Sequence, residues 1–234
     1  MTSWLDRPLL GFDTETTGTD VTTDRIITVA LVYSVAPGRD GETVATWLID
    51  PGVAIPEAAQ AVHGISDAHV RAHGLPPAEA LDEVAALLAR ALEQDVPIVA
   101  YNGSFDLQIL EADLARCGLP TLRERLGREI APVIDPLVID RGVDRFRKGK
   151  RKLVDLMAHY GVEQDGRLHT ADVDVSSTLD VLRALAARHP EIAEMPLDEL
   201  FRRQGEWHRD WAENFNRFLE RQGRTPDAPL AWPL

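Results

Sequence analysis

A single cysteine, Cys117, stands among 234 residues, so no intramolecular disulfide and no cysteine-based zinc site can form; one lone thiol fits a reducing compartment. Long apolar runs are missing as well. None approaches the roughly 20 residues that a membrane-spanning helix needs, and the opening MTSWLDRPLLGFD has no basic stretch followed by an apolar one, so no signal peptide is expected. A cytoplasmic protein that does not enter a membrane is the expectation. Positive charge is scarce: 25 Lys and Arg against 38 Asp and Glu leave a net charge of −13. Taken alone, a field of that sign repels phosphate and argues against a polyanionic partner. The exception is local. RGVDRFRKGKRK at 141–152 carries seven basic residues against one acid, Asp144, and is either a solvated loop and helix start or a foothold for an anionic partner. Internal repeats and low-complexity segments are also lacking. An apolar content of 44% is ordinary for a chain that buries a core, and its length suits one large domain or a domain with an appendage.

What is present begins with three strand-like runs, PLLGFD at 8–13, RIITVALVYSV at 25–35 and ETVATWLID at 42–50, the last two joined by the turn-rich PGRDG at 37–41. Residues 51–76 read as loop with a short helix. An amphipathic helix is expected at 77–94, a short strand at 96–102, a helix at 104–118 closed by Gly118, an extended segment at 132–140, and helices at 152–161 and 170–189. Three strands followed by strands alternating with helices imply an α/β layered fold around a mixed sheet. Beyond Pro190 the composition shifts, and Trp207, Trp211, Phe215 and Phe218 recur at helical spacing. This marks a C-terminal helix with an aromatic face packed on the domain; Gln204 with Trp207 and Trp211 alternatively fits a sliding-clamp peptide loosely.

The first strand ends on Asp13 and Glu15. Residues two apart on a strand point the same way, and like charges held together raise each other's pKa unless a cation or proton lies between them. Two further acids fall on core elements: Asp106 in YNGSFD, just past a strand, and Asp174 in HTADVD, inside a helix. Four carboxylates converging on one point would suit Mg²⁺ or Mn²⁺, hard cations that prefer oxygen ligands. Two such ions clamp an in-line displacement at phosphorus. His169, five residues before Asp174, has the pKa range to take a proton from an attacking water. Each feature has a plainer reading: a D-x-E pair as a solvated turn, Asp106 as a helix-dipole partner, His169 as a loop residue. What raises them above it is five residues of matching chemistry together.

FDTETTG, YNGSFD and HTADVD, in that order, resemble the three motifs of the DnaQ-like, DEDDh-type 3′–5′ exonucleases, over roughly residues 8 to 187; VHGIS at 62–66 is similar to that family's His-Gly-Ile segment beside the nucleotide pocket. The resemblance implies a ribonuclease H-like fold: a mixed five-stranded sheet, its first three strands antiparallel, flanked by helices. The exonuclease domain would span 1–189, with an added C-terminal helical extension at 190–234. It implies two metal ions, with Asp13, Glu15 and Asp174 on the first, Asp13 bridging to the second, Asp106 acting largely through metal-bound water, and His169 as general base. Substrate contact is implied for Thr14, Thr16, Thr17, Gly18, Gly64 and Ile65, and for Asn102 and Phe105, which shape the second motif's turn. His63 lines the terminal-nucleotide pocket or hydrogen-bonds its loop. The basic Arg147, Lys148 and Lys150 are candidates for upstream phosphates. Tyr101 departs from the His common in the family, and Val175 follows Asp174 where a small residue is usual. The implied activity is release of nucleoside 5′-monophosphates from the 3′ end of single-stranded or frayed DNA, with DNA favoured over RNA and a polymerase or clamp as candidate partner. A 3′-trimming exoribonuclease of the same fold and a catalytically inactive nucleic-acid-binding or polymerase-associated module are the alternatives.

Overall fold

The computed structural model describes residues 3–163 and 171–234. The β-branched and aromatic runs near the N-terminus form three antiparallel strands, β1 (Leu9–Thr16), β2 (Ile26–Ser34) and β3 (Glu42–Leu48). Short buried strands β4 (Ile98–Val99) and β5 (Val133–Ile134) add in parallel, giving the order β3-β2-β1-β4-β5. In chain order the helices are α1 (Glu57–His63), α2 (Asp67–His73), α3 (Pro77–Glu93), α4 (Gly103–Arg116), α5 (Leu122–Leu126), α6 (Pro136–Val143), α7 (Leu153–Tyr160), α8 (Ala171–Arg188), α9 (Pro190–Glu194) and α10 (Leu197–Arg221). None is long and apolar enough to cross a membrane, among the described residues.

β1 lies between β2 and β4 and is buried on both faces. Leu10 and Phe12 face a core built with α3 and α4, through Leu81, Val84, Leu88, Leu107 and Leu110. Leu9, on the opposite face, joins Val175, Leu179 and Leu182 of α8. Gly11 shares that second face, and a Cβ built on it would meet Val175 Cγ1 at 2.2 Å. Glycine therefore lets α8 lie directly on the strand, and Val175 fills the space that a side chain at position 11 would take.

Two expectations give way here. Residues 51–76 hold two helices, α1 and α2, separated by the residues from Gly64 to Ser66; Ser66 caps α2 by accepting from His69 N. The segment 132–140 is extended only at Val133–Ile134 and then turns helical. Asp135 caps that helix by accepting from Leu137 N at 2.9 Å, and Pro136 occupies its first turn, where a missing N–H costs nothing. An apolar run of this length fits strand and helix equally by pattern.

α10 packs along α6 and on the β5 edge. Trp207 covers Gly142, where a Cβ would stand 2.1 Å from the ring. Gln204 is fully buried: its Oε1 accepts from Asp135 N at 2.7 Å and its Nε2 donates to the Val133 carbonyl at 3.0 Å. The side chain thus satisfies the open edge of β5, which removes the clamp-peptide reading of Gln204.

Candidate active site

Asp13 and Glu15 close β1 on the face that carries Gly11, opposite Ala30 and Thr28 of β2, and a register irregularity follows at Glu15/Thr16. Such bulges end pairing and re-aim side chains beside active sites. Because α8 rests on Gly11, its first turn brings Asp174 next to this strand end. Asp106 arrives from α4. It is buried, and its Oδ1 accepts from Thr14 N at 3.1 Å and Thr14 Oγ1 at 2.6 Å.

The charges of these groups act on one another. Asp13 is held well above the usual carboxylate range, first by desolvation and then by repulsion from Asp106, Glu15 and Asp174. Glu15 is raised to about 7 by desolvation and the Asp174 charge. Asp106 is also raised to about 7 by desolvation, despite its hydrogen bonds from Thr14. Two unit charges about 5 Å apart repel by about 3 kcal/mol at an effective dielectric of about 20, so a set of four ionised acids calls for a counter-charge. Among the described residues, no three Asp, Glu, His or Cys side chains are already closed around one point as a cation cage; the electrostatic coupling, not ready-made coordination, marks the cluster. The donors are all carboxylate oxygen, the chemistry that suits Mg²⁺ or Mn²⁺ rather than a soft metal. His169 lies outside the described residues.

The second motif is built by contacts that no local pattern announces. Asn102 adopts a left-handed conformation, φ 59°, with its residue exposed. The turn is held from below by Asp135, whose carboxylate accepts from Asn102 N and Gly103 N, both at 3.1 Å. Desolvation raises Asp135 to about 6. Phe105 is partly buried against the main core. Asp135 is thus a positioning residue for the turn that presents Asp106, and its sequence signal was only the helix cap before Pro136.

The remaining candidates divide. His63 Nδ1 accepts from Ile65 N at 3.1 Å, which leaves the proton on Nε2, a buried atom with no partner among the described residues; desolvation keeps the ring neutral by lowering its pKa. The ring also lines a cavity of about 220 Å³ with Glu15, Thr28, Trp47, Ile65 and Asp172. The loop hydrogen bond expected of His63 is thus present on Nδ1. Gly64 is the left-handed residue that ends α1. Thr16 and Thr17 spend their hydroxyls within the loop, on the Gly18 carbonyl at 2.6 Å and on Asp24 Oδ1 at 2.7 Å; they shape that loop. Lys148 and Lys150 are exposed. Arg147 is not free: its Nη2 sits 2.9 Å from the fully buried carboxylate of Asp140. Its placement among the phosphate contacts is corrected accordingly.

A family model described as exonuclease, of the RNase T type, matches residues 10–182. The DNA polymerase III subunit epsilon-like protein of Rhodobacter capsulatus is 34% identical over 187 residues, covering 76% of this chain and 24% of its own length. A DNA polymerase III PolC-type protein of Streptococcus suis is 31% identical over 70% of this chain and 11% of its own, so the chain spans about a quarter or less of these two relatives. The uncharacterized exonuclease CP81 of Escherichia phage 186 is 29% identical, covering 78% of this chain and 90% of its own length. Among solved structures, E. coli exonuclease I in complex with a dA16 oligonucleotide superposes with a TM-score of 0.67 at 20% identity, over 87% of this chain and 44% of that one. The shared fold is the mixed five-stranded sheet flanked by helices.

Proposed function

The chain belongs to the exonuclease family, and we propose that it is a divalent-metal-dependent 3′–5′ exonuclease that releases nucleoside 5′-monophosphates from single-stranded or frayed DNA ends. The observation that carries this reading is the gathering of acids at the end of β1, where burial and the charges of Asp106, Glu15 and Asp174 raise Asp13, and where Glu15 and Asp106 are themselves raised chiefly by burial. Asp13, Glu15 and Asp174, with Asp106 behind them, are the residues that would hold Mg²⁺ or Mn²⁺. When bound, such ions supply charge neutralisation at a scissile phosphate and an acidified water. The chain's own groups do the rest. Thr14 fixes one oxygen of Asp106 through its N–H and its hydroxyl. Asp135 holds the Asn102–Gly103 turn in place, and the half-open His63 cavity beside Glu15, about 220 Å³, is the proposed seat of the terminal nucleoside. His169 is proposed as the base that takes a proton from the attacking water. DNA is favoured because the exonuclease I neighbours bind dA16 and dT13 oligonucleotides, and the likeness to a polymerase III subunit makes a polymerase the first partner to try.

The test is a digestion series on 3′-labelled single-stranded DNA, RNA and mismatched duplex under Mg²⁺, Mn²⁺ and EDTA. Mononucleotide release from single-stranded DNA, abolished by EDTA and by Asp13→Asn, is expected. Equal activity in EDTA would refute the metal assignment. Preferential cleavage of RNA would replace the DNA reading with a 3′-trimming exoribonuclease.

A further inference from the structure

The 144–152 loop and the facing sides of α6 and α10 line an open groove of about 740 Å³, with Arg141, Arg145, Phe146, Arg203, Trp207 and Trp211 among its residues. Three features distinguish it from an ordinary solvated loop. Phe146 is 89% exposed, the most exposed large apolar side chain described, and stands in a run of basic residues. Trp211 carries the Arg141 guanidinium 3.6 Å from its ring centroid and stacks with Phe215. Those contacts occupy Trp211 and leave Phe146, with the Arg145 guanidinium 6.0 Å from its ring centroid, as the exposed ring.

The third feature is that the loop is clamped from within. Asp140, fully buried, receives Arg147, Arg151 and the Tyr160 hydroxyl, the first at 2.9 Å and the last at 2.8 Å. Arg147 also donates to the Lys150 carbonyl at 3.3 Å. Two of the seven basic residues thus hold the backbone, so Phe146 cannot fold down onto the core without breaking a buried ion cluster. Tyr101 ties the same loop to the second motif: its hydroxyl donates to the Arg151 carbonyl at 2.5 Å, one residue before the Asn102 turn that presents Asp106. The loop that bears Phe146 is thereby tied to the turn that precedes Asp106.

An exposed ring amid cations matches how proteins hold single strands, where bases of any sequence stack on aromatic faces and phosphates meet Lys and Arg. Acids temper the groove itself, since Arg203 pairs with Glu206 at 2.8 Å and Arg145 with Asp210 at 3.8 Å. The exposed Lys148 and Lys150 are therefore among the cations left to face an anionic strand. We propose that this surface is an accessory site for single-stranded nucleic acid upstream of the 3′ end, with Phe146 stacking a base and Lys148 and Lys150 meeting the flanking phosphates. The inference rests on the exonuclease reading.

The test uses the full chain and fluorescently labelled oligothymidylates of increasing length, with binding measured in EDTA and turnover measured with Mg²⁺. Phe146→Ala is expected to lower affinity for a strand of about 15 nucleotides roughly tenfold, and Phe146→Trp to restore it. The ratio of kcat/KM for the long strand to that for a dinucleotide should fall in proportion. Replacing Lys148 and Lys150 with Gln should flatten the slope of log affinity against log salt by about 0.7 for each phosphate that is no longer neutralised. Unchanged long-strand affinity in Phe146→Ala, or an equal loss on the dinucleotide, would overturn the accessory site. A wild-type protein that binds the strands but releases no nucleotide would overturn the exonuclease reading while leaving the binding arm to stand or fall by itself.

Discussion

At the scale of single residues, the cluster at the end of β1 is a source of instability that a cation can relieve. Glu15 and Asp106 are raised to about 7, and Asp13 is raised as well. A carboxyl group whose folded pKa lies above its unfolded value binds more protons in the native state, so stability falls as pH rises through the window between the two. The metal-free protein is therefore expected to lose stability from about pH 4 to about pH 7 through these groups, and Mg²⁺ to restore it above that window. Asp13→Asn should flatten the decline and raise the metal-free melting temperature at pH 8 while removing activity. Thermal melts with and without Mg²⁺ across this range check it, and identical pH slopes in parent and variant would refute the coupling. His169→Ala should slow turnover about 10²–10⁴-fold, the usual worth of a general base, with metal-dependent stabilisation retained; a rate within twofold of the parent would move that role elsewhere. Asp13, Glu15 and Asp106 were legible in the sequence because strand periodicity and the start of a helix are local facts. Asp140 and Gln204 were not, since a buried carboxylate and a buried amide declare themselves only through partners distant in sequence.

At the scale of elements, one contact decides whether the acids meet. α8 carries Asp174 to β1 because Gly11 gives up its side chain to Val175. Gly11→Ala should force the helix outward, costing about 1–3 kcal/mol of stability as overpacking does, and displace Asp174, lowering kcat more than it raises KM. Val175→Ala makes room, so the double variant should recover stability beyond the sum of the two single changes; simple additivity in urea unfolding would show that the helix does not rest on this contact. The 141–152 run shows what composition hides. It reads as one basic patch, yet Arg147 and Arg151 are its internal frame through Asp140. Arg147→Gln should then destabilise the fold by about 1.5–3 kcal/mol, the worth of one hydrogen bond to a charged group, since Asp140 keeps Arg151 and Tyr160, whereas Lys148→Gln and Lys150→Gln should leave the melting temperature unchanged. The departure from expectation at 132–140 has a similar origin. Pattern alone could not tell a strand from a helix in PVIDPLVID, and Asp135 with Pro136 supplied the answer as a cap and first turn.

At the scale of the whole molecule, the C-terminal helix is joined to the elements that carry the acidic cluster by polar bonds as well as apolar packing. Gln204 reaches from α10 to Asp135 N and the Val133 carbonyl; Asp135 in turn holds Asn102 N and Gly103 N; and that turn starts the helix bearing Asp106. The segment beyond α10 adds a link of its own, from Ser104 Oγ to the Pro233 carbonyl at 2.6 Å. A helix added by packing alone would tolerate a hydrocarbon at position 204. This one should not, because Gln204→Met keeps the volume but leaves a buried N–H and a buried C=O unpaired, at about 1–3 kcal/mol for each unsatisfied group. The effect should extend to catalysis. With Asp135 less firmly held, kcat is expected to fall in the folded variant while the affinity for long single strands stays near that of the parent, since the 144–152 loop hangs on Asp140 rather than on Asp135. Urea unfolding, single-turnover kinetics and oligonucleotide binding on the same preparation separate the two. A variant destabilised but fully active would confine Gln204 to holding the β5 edge, and one neither destabilised nor slowed would mean that α10 is attached by its aromatic face alone.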